Sequence, residues 1–494
     1  MPSFSQTGLI AGVLLFLILM QMPPPNGLGW QGWVVFSISL WMAIWWITEA
    51  APLAVTALLP LILFPLFGLG DIKSIGGSYA SNAVFLALGG FVIGLAIQRW
   101  NLHIRIAMRT VELVGTEPRR VVGGFMIASA FLSMWITNTA TTVMMLPIAY
   151  SVAVLIDKEG AGEETTKQNF GVALMLGLAY SASIGGMMTL VGTSTNVMFK
   201  GYFEENFGFE INFIDWMLVG MPIGVLLLII VWWMLSFIIF PCKMIEHEGI
   251  RRVVNKRLED LGGLSIPEKR TLFVFMVTAT LWIGKGLFEP YFGGLQLNDA
   301  SIAIFGATLL FVIPADRSKG IYLLNWDDTK DVPWGILLLL GGGLTLAAAM
   351  NDFGVANWIG SKISQFRNVP TLLLVLITVA MIIMLSELMS NVATLTAFLP
   401  VIVAMAIGFG EHPFLFALPA AFAASCAFML PIATPPNAIV FGSGFLSIPQ
   451  MARTGAVLNI IAIFVLTIMC FVMGVAVFEI ELGVLPEFFE MKSR

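Results

Sequence analysis

Charge is what this 494-residue chain has least of. Asp, Glu, Lys and Arg together make up 11% of it, against about 25% in a soluble globular domain. Hydrophobic residues reach 58% and the mean hydropathy is +0.92, which excludes an ordinary soluble protein. Cysteine is scarce: Cys242, Cys426 and Cys470 lie far apart, so neither a disulfide framework nor a thiolate zinc site is indicated. Histidine is equally sparse, and no acidic cluster accompanies His103, His247 or His412. No acid–base or metal constellation is readable, and a role other than an enzyme is expected. With 25 basic and 30 acidic residues the net charge is −5, which supplies no basic field for nucleic acid.

Long apolar runs are what the sequence has instead. A helix crossing the hydrocarbon core needs about 20 apolar residues, and eleven such windows lie near 8–22, 30–49, 53–69, 83–99, 170–203, 214–240, 271–288, 300–314, 333–350, 413–446 and 455–479. The first lacks the basic flank and cleavage site of a signal peptide and is read as a helix. Two further stretches, 121–156 and 371–408, are too long for one span and carry polar residues followed by proline at their centres. Re-entrant hairpins fit them, because irregular backbone at membrane depth is tolerated only inside protein or beside a wet cavity. Before each comes a segment running to a proline, 100–117 and 352–369, which mixes Trp100, Ile104, Ile106, Trp358, Ile359 and Ile363 with Arg105, Arg109, Lys362 and Arg367; interfacial helices are expected there. The basic run at 243–270 reads as a solvated loop. With the N-terminus inside, 18 of the 25 Lys and Arg fall in the cytoplasmic segments 99–120, 157–168, 241–270, 315–332 and 447–454, leaving Lys73, Lys200, Lys285, Lys362, Arg367, Lys492 and Arg494 outside. The positive-inside rule therefore places the N-terminus in the cytoplasm and the C-terminus outside.

The chain also repeats itself at an offset near 252. Leu88-Gly89-Gly90 matches Leu340-Gly341-Gly342, Pro118 matches Pro370, and Asn138 with Pro147 matches Asn391 with Pro400. Ser133 and Thr137 fall on Ser386 and Ser390, and Gly192-Thr193-Ser194-Thr195-Asn196 matches Ala433-Thr434-Pro435-Pro436-Asn437 at 241. Four matches in one order indicate duplication. In the topology above the matched spans 83–99 and 333–350 run in opposite directions, so the repeat is inverted. The fold expected is an all-α polytopic membrane protein of about eleven transmembrane helices plus two re-entrant hairpins in an inverted repeat. Secondary transporters are built this way, with sites at the repeat interface near the midplane.

The hairpin centres offer neutral oxygens: Ser133, Thr137, Asn138 and Thr139 in one, Ser386, Ser390 and Asn391 in the other. Such ligands suit a hard cation, and the helix N-termini beside them suit an anion. No charged residue lies between Val121 and Ile156, and no Lys or Arg between Thr371 and Met451. An anion bound between the hairpins must therefore be balanced by helix N-termini and by co-bound cations, since bare buried charge is prohibitive. The runs at 192–196 and 433–437 sit inside long apolar spans with Gly185, Gly186, Gly192 and Pro431, which predicts unwound midpoints. There the carbonyls of Gly192 and Ala433 complete cation sites, and the hydroxyls of Thr193 and Thr434 face substrate. Glu49 reads as interfacial, and Glu387 as a hairpin-positioning, proton-responsive or structural carboxylate.

In Ser133-Met-Trp-Ile-Thr-Asn-Thr-Ala-Thr-Thr142, Ser390-Asn-Val-Ala-Thr394, Ala433-Thr-Pro-Pro-Asn-Ala-Ile-Val440 and Ser183-Ile-Gly-Gly186 the chain resembles the divalent anion/sodium symporter family of di- and tricarboxylate carriers over essentially its whole length. The resemblance implies a homodimer embedded in lipid, in a bacterial inner membrane, that moves a C4-dicarboxylate (succinate, malate, fumarate), with citrate a further candidate, together with Na⁺ by an elevator mechanism and without an organic cofactor. Residues 1–120 and 241–370 would form the scaffold and its arms. Residues 121–240 and 371–494 would form the moving part. One Na⁺ would take Ser133, Thr137, Asn138 and Gly192; the other would take Ser386, Met389 through its carbonyl, Asn391 and Ala433. Substrate would meet Asn138, Thr139, Thr193, Ser390, Asn391, Val392, Thr434 and Pro435. Thr137 replaces the family's Ser but keeps the hydroxyl, whereas Val392 replaces Thr and removes a donor, a change bearing on substrate preference. The alternatives are a Na⁺-independent dicarboxylate exchanger and a symporter of sulfate or another divalent anion.

Overall fold

A computed structural model describes residues 4–115, 117–159, 164–242, 248–288, 297–363 and 369–489. Lys243, His247, Arg367, Lys492 and Arg494, which enter the readings above, lie outside the described residues. The described chain is nearly all helical, and nine of its helices are long and apolar enough to cross a membrane. The window at 53–69 departs from expectation, because it holds two short helices, Leu53–Thr56 and Leu59–Leu66, rather than one span. Prolines at 52, 60 and 65 account for this, each lacking the N–H that a continuous helix needs.

Both long polar-centred stretches break at matching places. Helix Pro118–Ser133 is followed by Asn138–Glu159, and Thr371–Ser386 by Asn391–Phe409, so each pair is separated by residues 134–137 or 387–390. Both predicted midpoints are unwound as well: Glu164–Met187 resumes as Ser194–Phe207, and Phe414–Ala423 resumes as Pro435–Phe441. The resumed halves start from Thr193 (φ −145, ψ 148) and Thr434 (φ −142, ψ 148), the same extended conformation at repeat-matched positions.

The segments before the two pairs are helices Leu102–Val114 and Val355–Ile363. In the first, Arg105 is buried. Its guanidinium donates to Glu268 Oε1 at 2.8 Å and to the carbonyls of Gly262 at 2.8 Å and Leu261 at 3.1 Å, capping the C-terminal end of helix Glu248–Leu261. That helix occupies half of the run read as a loop; the spacing of buried Val254 and half-buried Leu258 gives it one apolar edge, while Arg251, Arg252, Lys256 and Arg257 stay exposed. A two-stranded ribbon, Pro314–Asp316 with Ile321–Tyr322, is the one departure from an all-helical fold among the described residues. Its turn uses Gly320 at φ +64 and the Asp316 carboxylate accepting from Ser318 N.

Buried apolar side chains form two clusters. A large one runs from Ala83 to Phe489, and a smaller one joins Phe16–Ile75 to Leu339, Leu346, Met350, Val355, Met389 and Ala393. Buried charges are paired between elements: Lys200 Nζ donates to Ile211 O at 2.6 Å and lies 3.5 Å from Asp299, and Lys285 Nζ donates to Glu210 at 2.7 Å.

Candidate substrate and cation site

The two pairs and the two broken helices converge on one cavity of about 440 Å³. Asn138, Thr139, Thr193, Ser390, Asn391, Val392, Thr434 and Pro435 all line it, as do Thr137, Gly192 and Ala433. Ser133, Ser386 and Met389 do not; they are buried behind the wall. The cavity carries no Lys or Arg among its described lining residues, and its only ionisable side chain is Glu49. Asn138, Ser194 and Asn391 begin helices of 22, 14 and 19 residues, so three helix N-termini, each equivalent to roughly half a positive charge, open onto it.

Around the first pair the oxygens stand close together. Ser133 Oγ donates to Asn138 Oδ1 at 2.6 Å, and Thr137 Oγ1 accepts from Ala140 N at 3.3 Å. Two glycines make this possible. A Cβ on Gly186 would lie 2.3 Å from Asn138 Oδ1, and one on Gly192 would lie 2.4 Å from Gly186 O and 2.9 Å from Ser133 O. At the second pair, Ser386 Oγ and Asn391 Oδ1 are buried without a hydrogen-bond partner among the described residues. Orphaned neutral oxygens of this kind are costly and fit a hard cation.

Each unwound segment is held by one asparagine. Asn196 Nδ2 donates to Gly186 O at 3.0 Å and Thr189 O at 2.6 Å; Asn437 Nδ2 donates to Ala427 O at 3.0 Å and Leu430 O at 3.1 Å. The same clamp thus recurs at repeat-matched positions. The tips are fastened differently. Thr189 Oγ1 donates to Met134 O at 2.5 Å in the first half. In the second, the buried Glu387 carboxylate accepts from Met429 N at 2.8 Å, Leu430 N at 3.1 Å and Asn459 Nδ2 at 2.7 Å.

Sequence reasoning found the lining and missed part of its support. Asn196 and Asn437 stood in the repeat, and that pairing was the available signal. Glu49 borders the cavity from the end of helix Trp30–Thr48, where it adopts a left-handed conformation at φ 47; nothing in its sequence neighbourhood announces that position.

Comparison with known proteins shows the family of the chain. Residues 4–480 match the family model described as the sodium:sulfate symporter transmembrane region. A sodium-dependent dicarboxylate transporter of Staphylococcus saprophyticus, SdcS, is 40% identical over 94% of this chain and 90% of its own. Its namesake in Staphylococcus aureus is 38% identical over 95% and 91%. Among solved structures, Neisseria gonorrhoeae MtrF, described as illuminating a class of antimetabolite efflux pumps, superposes with a TM-score of 0.60 at 13% identity, covering 96% of both chains. The Alcanivorax borkumensis YdaH transporter gives 0.55 at 15% identity, covering 88% of this chain and 98% of its own. These two share the fold. The match along nearly the whole chain, together with relatives of this identity, makes the protein a member of the sodium:sulfate symporter transmembrane family.

Proposed function

We propose that the protein is a secondary active transporter that carries a C4-dicarboxylate such as succinate, malate or fumarate across the membrane together with Na⁺. The observation that carries this reading is the cavity in which paired Asn, Ser and Thr side chains from both repeats meet three helix N-termini with no Lys or Arg among its described lining residues. Relatives named as sodium-dependent dicarboxylate transporters support the choice of cargo and ion. Each Asn tip supplies an oxygen for Na⁺ and an amide for a substrate carboxylate. Ser133, Thr137, Asn138 and Gly192 surround one ion. Ser386, the Met389 carbonyl, Asn391 and Ala433 surround the other. The cargo leaves unaltered, so the protein does no chemistry on it.

Movement is of the elevator kind. Every proposed substrate and ion residue lies in 121–240 or 371–494, while Glu49, Leu53, Phe91, Ile336 and Leu339 from 1–120 and 241–370 form the facing wall, which supports a moving part sliding against a scaffold. The protein works as a homodimer in a bacterial inner membrane, with its N-terminus in the cytoplasm and its C-terminus outside. Uptake of labelled succinate into proteoliposomes tests the reading. An inward Na⁺ gradient is expected to drive accumulation that unlabelled malate and fumarate suppress. Uptake that needs internal dicarboxylate and ignores Na⁺ would establish an exchanger instead, and Na⁺-driven accumulation of labelled sulfate with none of succinate would establish a sulfate carrier.

A further inference from the structure

The cavity that holds the candidate site has a neighbour. A second cavity of about 650 Å³ shares Phe91, Thr137, Thr139 and Ile336 with it and extends to Arg99, Asp328 and the exposed Asp331. Solute leaving the inner cavity past Thr139 on this side enters a vestibule whose outer end is charged. Among the described residues lining either cavity, Arg99 is the only cation.

We propose that Arg99 is a transit subsite for the carboxylate cargo between the vestibule mouth and the inner site, a role that rests on the dicarboxylate reading above. Arg99 stands in the last turn of helix Asn82–Arg99 and pairs with Asp328, their side chains being 28% and 32% exposed. An ion pair this open to water is weak and screened. Asp328 does not depend on it, because its carboxylate also accepts from Asn325 N at 2.6 Å and closes the capping box of the turn Trp326–Asp331. Arg99 can therefore exchange one carboxylate for another, its planar fork suiting a carboxylate of the cargo as well as that of Asp328. The partial negative charge at the C-terminal end of its own helix, with Asp328 and Asp331 nearby, keeps the anion's stay short. In this arrangement Asp328 is a competitor for the guanidinium as well as its partner.

That competition gives the test its sign. Succinate uptake is measured in right-side-out and in inverted membrane vesicles for wild type, Arg99→Gln, Arg99→Lys and Asp328→Asn; the last substitution keeps a side-chain oxygen for the Asn325 N–H, so the turn persists. Arg99→Gln is expected to raise the half-saturating succinate concentration about three- to tenfold at the vestibule face, the scale of one ordinary net hydrogen bond, as befits a charged contact this open to water. Arg99→Lys should fall between the two, and Asp328→Asn should lower the concentration at the same face. The opposite face and the Na⁺ dependence are expected to stay put. If Arg99→Gln and Asp328→Asn shift uptake in the same direction, or shift both faces equally, the pair is a strut and the proposal fails. It fails too if neither variant changes anything at the vestibule face. Should Arg99→Gln not fold, Asp328→Asn against wild type decides. Absence of Na⁺-driven succinate uptake in wild-type vesicles would instead refute the dicarboxylate reading, and the subsite for this cargo with it.

Discussion

Gly186→Ala separates the function of the first site from its stability. A Cβ at position 186 would lie 2.3 Å from Asn138 Oδ1, where ordinary contact begins at 3.4 Å. The atom in the way is the end of a side chain, so the Asn138 amide yields, by about 1 Å, a displacement that in positioned chemistry costs on the order of a hundredfold. Its hydrogen bond from Ser133 Oγ is lost in the same movement. Stability should change little. Overpacking costs about 1–3 kcal/mol, but Gly186 lies within helix Glu164–Met187, where alanine is favoured over glycine by about 1 kcal/mol. The expected result is a rise of at least about tenfold in the Na⁺ concentration that half-saturates succinate uptake, equivalent to about 1.4 kcal/mol, in a protein whose Tm stays near wild type. Position 427, the repeat match of 186, already carries alanine, and Ala427→Gly should leave the Na⁺ dependence alone. A Gly186→Ala protein with wild-type Na⁺ dependence and wild-type Tm would show that Asn138 Oδ1 does not serve the ion.

Val392→Thr adds a hydroxyl to the cavity wall at nearly constant volume; apparent succinate affinity should tighten about three- to tenfold with Na⁺ dependence unmoved, and competition assays check it. Glu387→Gln leaves one acceptor oxygen facing the three donors Met429 N, Leu430 N and Asn459 Nδ2, so a loss of about 1–3 kcal/mol is expected, read as a lowered Tm in detergent. Cysteines replacing the exposed Glu205 and Arg257 should react with an impermeant reagent from outside and inside respectively, and labelling of both from one face would overturn the topology. His412, in the turn before helix Phe414–Ala423, is pushed down to about 4 from 6.5 by burial. The unfolded chain binds that proton first, so stability is full above pH 6.5 and declines as pH falls toward 4; His412→Gln should flatten the dependence of Tm on pH across that window.

What could be read from the sequence was whatever had local period or repetition. Polar residues such as Asn138 and Asn391 are conspicuous inside apolar runs, and their equal spacing to Pro147 and Pro400 exposes the duplication before any fold is known. The unwound midpoints follow from glycine and proline inside spans. The close approach of Gly186 to Asn138 does not, because it depends on how segments almost 50 residues apart pack. Arg105 reads from sequence only as part of an interfacial helix; its burial depends on Glu268 and the end of helix Glu248–Leu261, more than 150 residues away. The break at 53–69 was legible in principle, since two prolines inside the window and Pro52 just before it argue against a continuous span, but high apolarity outweighed them.

The clamps made by Asn196 and Asn437 bear on how an interrupted helix survives at membrane depth. Each interruption frees peptide acceptors from their usual partners, and in a region poor in water every one left bare costs several kcal/mol. A side-chain amide carries two donors, and here each spends both on carbonyls ten and seven residues behind it. It stands in for a missing stretch of backbone by serving two acceptors at once. Neither side chain borders the cavity. The main-chain oxygens offered at each break thus depend on two residues that need never touch what passes: exchanging either for aspartate, nearly identical in shape but with no N–H to give, would release the Gly186 or Ala427 carbonyl outright, while Thr189 O and Leu430 O would keep only the backbone donors Gly192 N at 3.4 Å and Ala433 N at 3.2 Å.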